Sequence, residues 1–317
     1  MAEIAGDPLT DDLIQPFQIE TMAAQGRLVR LGPAIDAVLS AHAYPEPVAV
    51  ALGEAQIIAV ALSGALKFDG VLTLQIKGEG PVNLLVADVT SDGHLRGYAQ
   101  YNARGLDRLA DRAGAPVPRL FGSGHMAFTV DQGPDTQRYQ GIVALEGATL
   151  ADCAHGYLRQ SVQMEAVLKV AVGRVAGDGG RPCWRAGAMM LHRMAEPGMQ
   201  RQSGEGDGER EDAWRRAVIL MGSSTSDELL DPDLHPHRLL YRLFHEDGVR
   251  VFAPSPLAMR CRCSRARVAR VLKSFPRNEI EDMKTDDGRV QVICEFCNSE
   301  YLFDDADLAD VYGRGAE

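Results

Sequence analysis

The chain has 317 residues, is 45% hydrophobic and carries a formal net charge of −11. That length and apolar content suit one large domain with a smaller appendage. The acidic balance argues against a general nucleic-acid or anionic-membrane binder, because both need a basic footprint.

Residues 1–10 (MAEIAGDPLT) are acidic and lack the apolar core of a signal peptide. Residues 11–29 are weakly patterned, and a strand is expected only at Arg27 to Arg30. Pro33–Leu39 reads as a short amphipathic helix ended before Pro45 and Pro47. Residues 47–68 (PVAVALGEAQIIAVALSGALKF) are Ala-rich but interrupted by Gly53, Glu54, Gln56, Ser63 and Gly64. This stretch reads as a buried helix with small residues for close packing, not as a membrane span.

Leu72, Leu74 and Ile76 then alternate with Thr73, Gln75 and Lys77, the period-2 pattern of a strand. Turn residues separate it from further strands expected at 82–86, 95–98, 126–130 and 139–145. Connections this short imply a mostly antiparallel sheet. Residues 150–175 read as one long helix with Leu150, Cys153, Tyr157, Met164 and Leu168 on its apolar stripe. Cys153 is expected in the core, as are Cys183 beside Trp184 and the methionines of a buried strand at 186–194.

Residues 197–212 (PGMQRQSGEGDGERED) break the pattern, being polar and Gly-rich, and read as a loop or linker. Short helices follow at 213–221, 227–230 and 237–245, the last with Leu239, Leu240, Leu243 and Phe244 on one face. Pieces this short need a neighbour to lie on. After a strand at 249–252 comes a terminal unit: a helix capped by Ser264, a short helix at 279–283, and strands at 289–293 and 301–303.

That unit holds Cys261-Arg262-Cys263 and Cys294-Glu295-Phe296-Cys297, four of the chain's six cysteines. Two tight pairs of thiols can complete a tetrahedron around one ion, the closed Cys₄ arrangement that zinc favours in structural sites. A small unit with so little core of its own depends on such a metal. The CxC half is unusual. Its disulfide loop is cramped, and strained disulfides are the reducible, regulatory ones, so a redox switch competes with a plain structural site.

Other chemistry finds less support. Residues 261–317 carry nine Lys/Arg against twelve Asp/Glu, a net of −3, so the arginines after Cys263 read as a solvated face and not a nucleic-acid reader. Gly122-Ser123-Gly124-His125 lacks the strand–turn–helix setting of a nucleophile elbow, and His235-Pro236-His237 is a loop pair. There is no GxxxxGK[ST] phosphate loop, so an ATP-driven machine is not expected. A thiol oxidoreductase would want its CxxC at a helix start beside a βαβ unit, whereas Cys294 follows a hairpin strand.

Met259-Arg260-Cys261-Arg262-Cys263-Ser264-Arg265, followed by Cys294-Glu295-Phe296-Cys297-Asn298 and Tyr301-Leu302-Phe303, resembles the bacterial 33-kilodalton chaperonin family of redox-regulated heat-shock holdases. Gly78-Glu79-Gly80-Pro81, Leu95-Arg96-Gly97-Tyr98, Tyr139-Gln140-Gly141-Ile142-Val143 and Arg242-Leu243-Phe244-His245-Glu246 agree, so the resemblance spans nearly the whole chain. Three departures stand out. Ala266 replaces an acidic residue, Ser161-Val162-Gln163 lacks the acid and proline usual there, and the 197–212 loop is longer than the family leads one to expect.

The resemblance implies an α+β fold: a mostly antiparallel-sheet domain over 1–195, a flexible loop and helical linker over 196–260, and a zinc redox-switch domain over 261–317. It implies a reduced, inactive form with one Zn²⁺ on Cys261, Cys263, Cys294 and Cys297. Oxidation then pairs Cys294 with Cys297 and Cys261 with Cys263, releases zinc, unfolds the terminal unit and destabilises the linker. A homodimer results that holds unfolding client proteins in the cytoplasm without ATP, enzymatic activity, nucleic acid or membrane. The rival readings are a zinc-stabilised binding module indifferent to oxidants and, more distantly, a thiol oxidoreductase.

Overall fold

The computed structural model describes residues 11–65, 68–109, 114–133, 138–194 and 207–313. They divide into two compact units, Met1–Met259 and Arg260–Glu317. The leader reading of residues 1–10 lies outside the described residues, as do positions 195–206 of the polar stretch read as a loop.

In the larger unit β1 (Leu13–Ile19) and β2 (Ala24–Leu31) form a hairpin, followed by α1 (Pro33–Leu39) and α2 (Glu46–Ser63). A meander of β3 (Val71–Gly78), β4 (Val82–Thr90) and β5 (His94–Tyr101) leads to α3 (Ala103–Asp107) and α4 (Pro116–Phe121). Then come β6 (Gly124–Asp131), β7 (Tyr139–Ala144), α5 (Leu150–Tyr157), β8 (Ala166–Ala176) and β9 (Pro182–Arg193). Three helices, α6 (Asp207–Gly222), α7 (Ser226–Leu230) and α8 (Pro236–Phe244), precede the short strands β10 (Val249–Val251), β11 (Ser255–Pro256) and β12 (Ala258–Met259).

The strands make two six-stranded sheets among the described residues. One runs β10-β1-β2-β9-β8 with β11 also on β1; the other runs β12-β5-β4-β3-β6-β7. All pairs are antiparallel except β12 on β5. The α+β, mostly antiparallel expectation therefore holds.

Helix α2 packs on strands of both sheets. By length and composition alone it could cross a membrane, yet 78% of it is buried inside the fold, as a core helix is. Its small residues permit the close approach. A Cβ on Gly53 would come within 2.7 Å of Val172. The interior glutamine, Gln56, donates to the Asp88 carbonyl at 3.1 Å.

The first sheet is buried on both faces. Val29, Leu31, Ala188 and Met190 face the α2 core. Phe17, Leu28, Met189 and Leu191 face a second core completed by Trp214, Ala217 and Met221 of α6, Leu229 and Leu230 of α7, and Leu239, Leu240, Leu243 and Phe244 of α8. Double-sided burial explains why β9 reads as a continuous apolar run.

Docking of α7 and α8 is specific as well as apolar. Phe244 stacks on Phe17 with ring centroids 5.7 Å apart. Two buried arginines of the sheet grip the turn between the helices. Arg185 donates to the Leu230 carbonyl at 2.7 Å and pairs with Asp11, while Arg30 donates to the carbonyls of Asp231 and Leu234. Gly187 lies so close beneath that a Cβ there would sit 2.4 Å from the Leu229 carbonyl oxygen.

Several elements depart from the sequence reading. The long helix expected over 150–175 is not continuous. Helix α5 passes through a π-turn, the chain reverses at Gln163 with φ of 54°, and β8 follows. Residues of β8 alternate between the two cores, with Leu168, Val170 and Val172 on one and Val167, Ala171 and Val175 on the other. Because both sets are apolar, the period-2 signal was masked. Residues 207–212, read as loop, form the first turns of α6, exposed over 208–212, where Glu and Arg are good helix formers and the acidic residues suit a helix N-terminus. Strand β1 escaped notice because Pro16 interrupts it. Its partners β10 and β11 pair at 17–19 and 13–14, and Pro16 falls between them.

The smaller unit contains α9 (Arg265–Leu272), α10 (Arg277–Asp282), the hairpin β13 (Val290–Ile293) and β14 (Glu300–Phe303), and α11 (Asp305–Tyr312), which the sequence reading missed. Its core is Leu272, Ile280, Val290, Phe303 and Leu308.

Truncating Phe244→Ala removes a fully buried ring and should destabilise the larger unit by about 3–5 kcal/mol in urea unfolding. A loss well below that would contradict the docking of α8. Glu54, in mid-α2, has its pKa pushed up to about 7 by burial, from an ordinary 4.5. The folded chain binds a proton there that the unfolded chain releases, so stability falls as pH rises through that window. Glu54→Gln should flatten the decline, and an unchanged slope in pH-dependent unfolding would contradict its burial.

Candidate metal centre

Cys261 and Cys263 lie in an extended stretch that ends where Ser264 caps α9, its hydroxyl accepting from the Arg267 N–H. Cys294 and Cys297 lie in the turn between β13 and β14. That turn is tight. The Cys294 N–H donates to the Ser299 carbonyl at 2.9 Å, the Asn298 N–H donates to the Cys294 carbonyl at 2.8 Å, and Asn298 adopts a left-handed φ of 56°. Asparagine tolerates that conformation better than most residues.

The extended stretch and the hairpin turn bring all four sulfurs within 4.8 Å of one another. Cys261 Sγ is 3.7 Å from Cys294 Sγ, and Cys263 Sγ is 3.4 Å from Cys297 Sγ. Zinc–sulfur bonds of about 2.3 Å would give a tetrahedron with edges of about 3.8 Å, so the spacing suits one ion. Disulfide bonds of about 2.05 Å would be far shorter. Cys153 is buried on α5, as expected of a core cysteine. Cys183 on β9 is only half-buried, its thiol 3.7 Å from the Val175 carbonyl.

The four thiols are not equivalent. Burial pushes Cys263 up to about 12, against the phenol of Tyr301, which favours its thiolate. Burial also raises Cys294, against the backbone N–H groups of Cys297 and Phe296. At Cys297 burial again acts upward, but the hydroxyl and N–H of Ser299 and the neighbouring sulfurs outweigh it and bring the thiol down to about 7. Four negative sulfurs this close repel one another, so a cation is needed to hold them all as thiolates. The donor set fits a soft or borderline divalent metal.

Interactions beyond the cysteines join the two halves. Tyr301, on β14, places its hydroxyl 3.1 Å from Cys263 Sγ. Arg265, directly after the CxC stretch, donates to the Leu302 carbonyl at 2.7 Å, pairs with Asp307 at 2.6 Å and lies 4.3 Å over the Phe303 ring. The sequence reading treated Arg265 as solvated and Tyr301 as a strand residue only. The other motifs are structural here. The 122–125 stretch turns α4 into β6, and His235 caps α8 by accepting the His237 N–H at 3.1 Å.

A profile described as Hsp33 protein matches residues 12–304. A 33 kDa chaperonin of Caulobacter vibrioides is 42% identical over 96% of this chain and 99% of its own length. One from Pseudomonas fluorescens is 37% identical, over 96% and 95% respectively. Among solved structures, a 33 kDa chaperonin (heat shock protein 33 homolog) of Thermotoga maritima shares the fold with a TM-score of 0.72 at 22% identity, covering 95% of this chain and 98% of that one.

Proposed function

The chain belongs to the Hsp33 protein family, and from that premise we propose that it is an ATP-independent holdase chaperone switched on by oxidation. The observation that carries this reading is the convergence of four thiols, from a CxC and a CxxC pair, within 4.8 Å. The relatives are named chaperonins, which is not the name of an enzyme. Their clients, by that name, are other proteins.

In the reduced chain Cys261, Cys263, Cys294 and Cys297 would hold one Zn²⁺, which when bound keeps the sulfurs as thiolates and staples the two turns together. A peroxide removes two electrons from each pair, so that Cys294 bonds to Cys297 and Cys261 to Cys263, and no thiolate donors remain. A structural zinc site in a small unit is worth about 10–16 kcal/mol, against about 5–15 kcal/mol for the stability of a whole domain. The unit beginning at Arg260 should therefore unfold on oxidation.

Residues 1–195 then serve as the stable domain, 196–260 as the responsive linker and 261–317 as the switch. Strand β12 ends at Met259, two residues before Cys261, so the disturbance reaches the linker through the chain itself. Loosening of α6–α8 bares the apolar faces now buried between them and the first sheet, and such faces capture unfolding proteins. The oxidised form acts as a homodimer. A switch that rests as free thiols suits a reducing cytoplasm.

Suppression of aggregation of a denatured test protein should appear only after peroxide treatment, together with loss of one equivalent of zinc. Replacing any of Cys261, Cys263, Cys294 or Cys297 by Ser should abolish stoichiometric zinc, whereas Cys153→Ser and Cys183→Ser should retain it. Equal protection before and after oxidation would instead favour a zinc-stabilised binding module, and zinc intact in Cys294→Ser would contradict the ligand set.

A further inference from the structure

We propose that Tyr301 is a positioning residue whose hydroxyl restrains the sulfur of Cys263 and slows that sulfur's reaction with peroxide. This rests on the reading of the four cysteines as one oxidisable metal site. Tyr301 pairs with Val292 across the β13–β14 hairpin, and its ring packs against the Leu272, Ile280, Val290, Phe303 and Leu308 core. Its hydroxyl reaches Cys263 Sγ at 3.1 Å. The ring is thus fixed by strand register and by core packing while its polar end holds a sulfur from the other half of the unit.

The CxxC pair is held differently. Cys294 and Cys297 share one turn, and the hydroxyl partner of Cys297, Ser299 at 3.2 Å, belongs to the same turn. These two sulfurs can approach each other while their local partner moves with them. Joining Cys261 to Cys263 requires Cys263 to leave a phenol anchored in the core. An O–H···S bond also engages the sulfur lone pairs that would attack an oxidant, and so slows that attack.

The chemistry is the same at either pair. One thiolate attacks a peroxide oxygen, the O–O bond breaks and hydroxide leaves, giving a sulfenic acid. The second thiolate attacks that sulfur, the S–O bond breaks and a second hydroxide leaves with the disulfide formed. Two electrons pass from the sulfurs to the peroxide. Tyr301 alters only how readily Cys263 takes part.

Tyr301→Phe keeps the ring in the core and removes only the hydroxyl. Groups that support metal ligands typically contribute about 10–100-fold to metal affinity, and a loss in that range is expected in chelator competition on the reduced full-length protein. Under limiting hydrogen peroxide, alkylation and mass mapping of the parent should find Cys263 still a thiol when Cys294 and Cys297 are already joined. That lag should vanish in Tyr301→Phe. Tyr312→Phe is the control for general loosening, since its phenol donates to the Leu272 and Phe275 carbonyls at 2.8 and 2.9 Å in the same core, and it should keep the lag. Unchanged zinc affinity and an unchanged lag in Tyr301→Phe would overturn the proposal alone, as would loss of the lag in both variants. A parent protein that keeps its four thiols and its zinc under peroxide would overturn the oxidation order and the reading beneath it together.

Discussion

Four sulfurs from two cysteine pairs thirty residues apart in sequence lie within 4.8 Å of one another, and the small C-terminal unit is organised around that constraint. As bare thiolates they would repel, and as thiols they would waste a tetrahedral set of donors. Among the described residues, Leu272, Ile280, Val290, Phe303 and Leu308 are the unit's buried core, with Arg265 and Tyr301 bridging the halves. So little apolar burial leaves the unit reliant on what joins its sulfurs. On the proposed reading, a change in sulfur chemistry would therefore be a change in folding.

The larger unit contains two kinds of stability. The helix α2 core lies between two sheets and is closed on itself. The second core is half supplied by α6, α7 and α8, of which α7 and α8 are short and depend on the sheet for their persistence. Arg30 and Arg185 make that dependence sharp. Their guanidiniums are buried and donate to carbonyls at the α7–α8 turn, Arg185 also pairing with Asp11, so partial lifting would strand buried charge. Docking is accordingly close to all-or-none, a property suited to a conditional surface.

Much of this was legible in the sequence, for physical reasons that differ by element. The second-sheet strands announced themselves because one face is apolar and the other polar, as in Leu72 to Lys77. The cysteine cluster was legible because the spacing within each pair is local. The failures occurred where two-sided burial hides periodicity, as in β8, or where a proline interrupts a strand, as in β1. Long-range contacts were invisible for another reason. Nothing in the spacing of Tyr301 or Arg265 shows that a phenol will meet Cys263 or that a guanidinium will span to Asp307; those depend on the completed fold.

The central claim is that the sulfur chemistry of one unit governs the docking of α6–α8 in the other. Hydrogen exchange on the full-length protein, reduced with zinc and then fully oxidised without it, tests this most directly. The account predicts that protection falls across residues 207–252 as well as 261–303, while β3 and β4 stay protected. Retention of protection across 207–252 in an oxidised, zinc-free protein that still holds clients would contradict it.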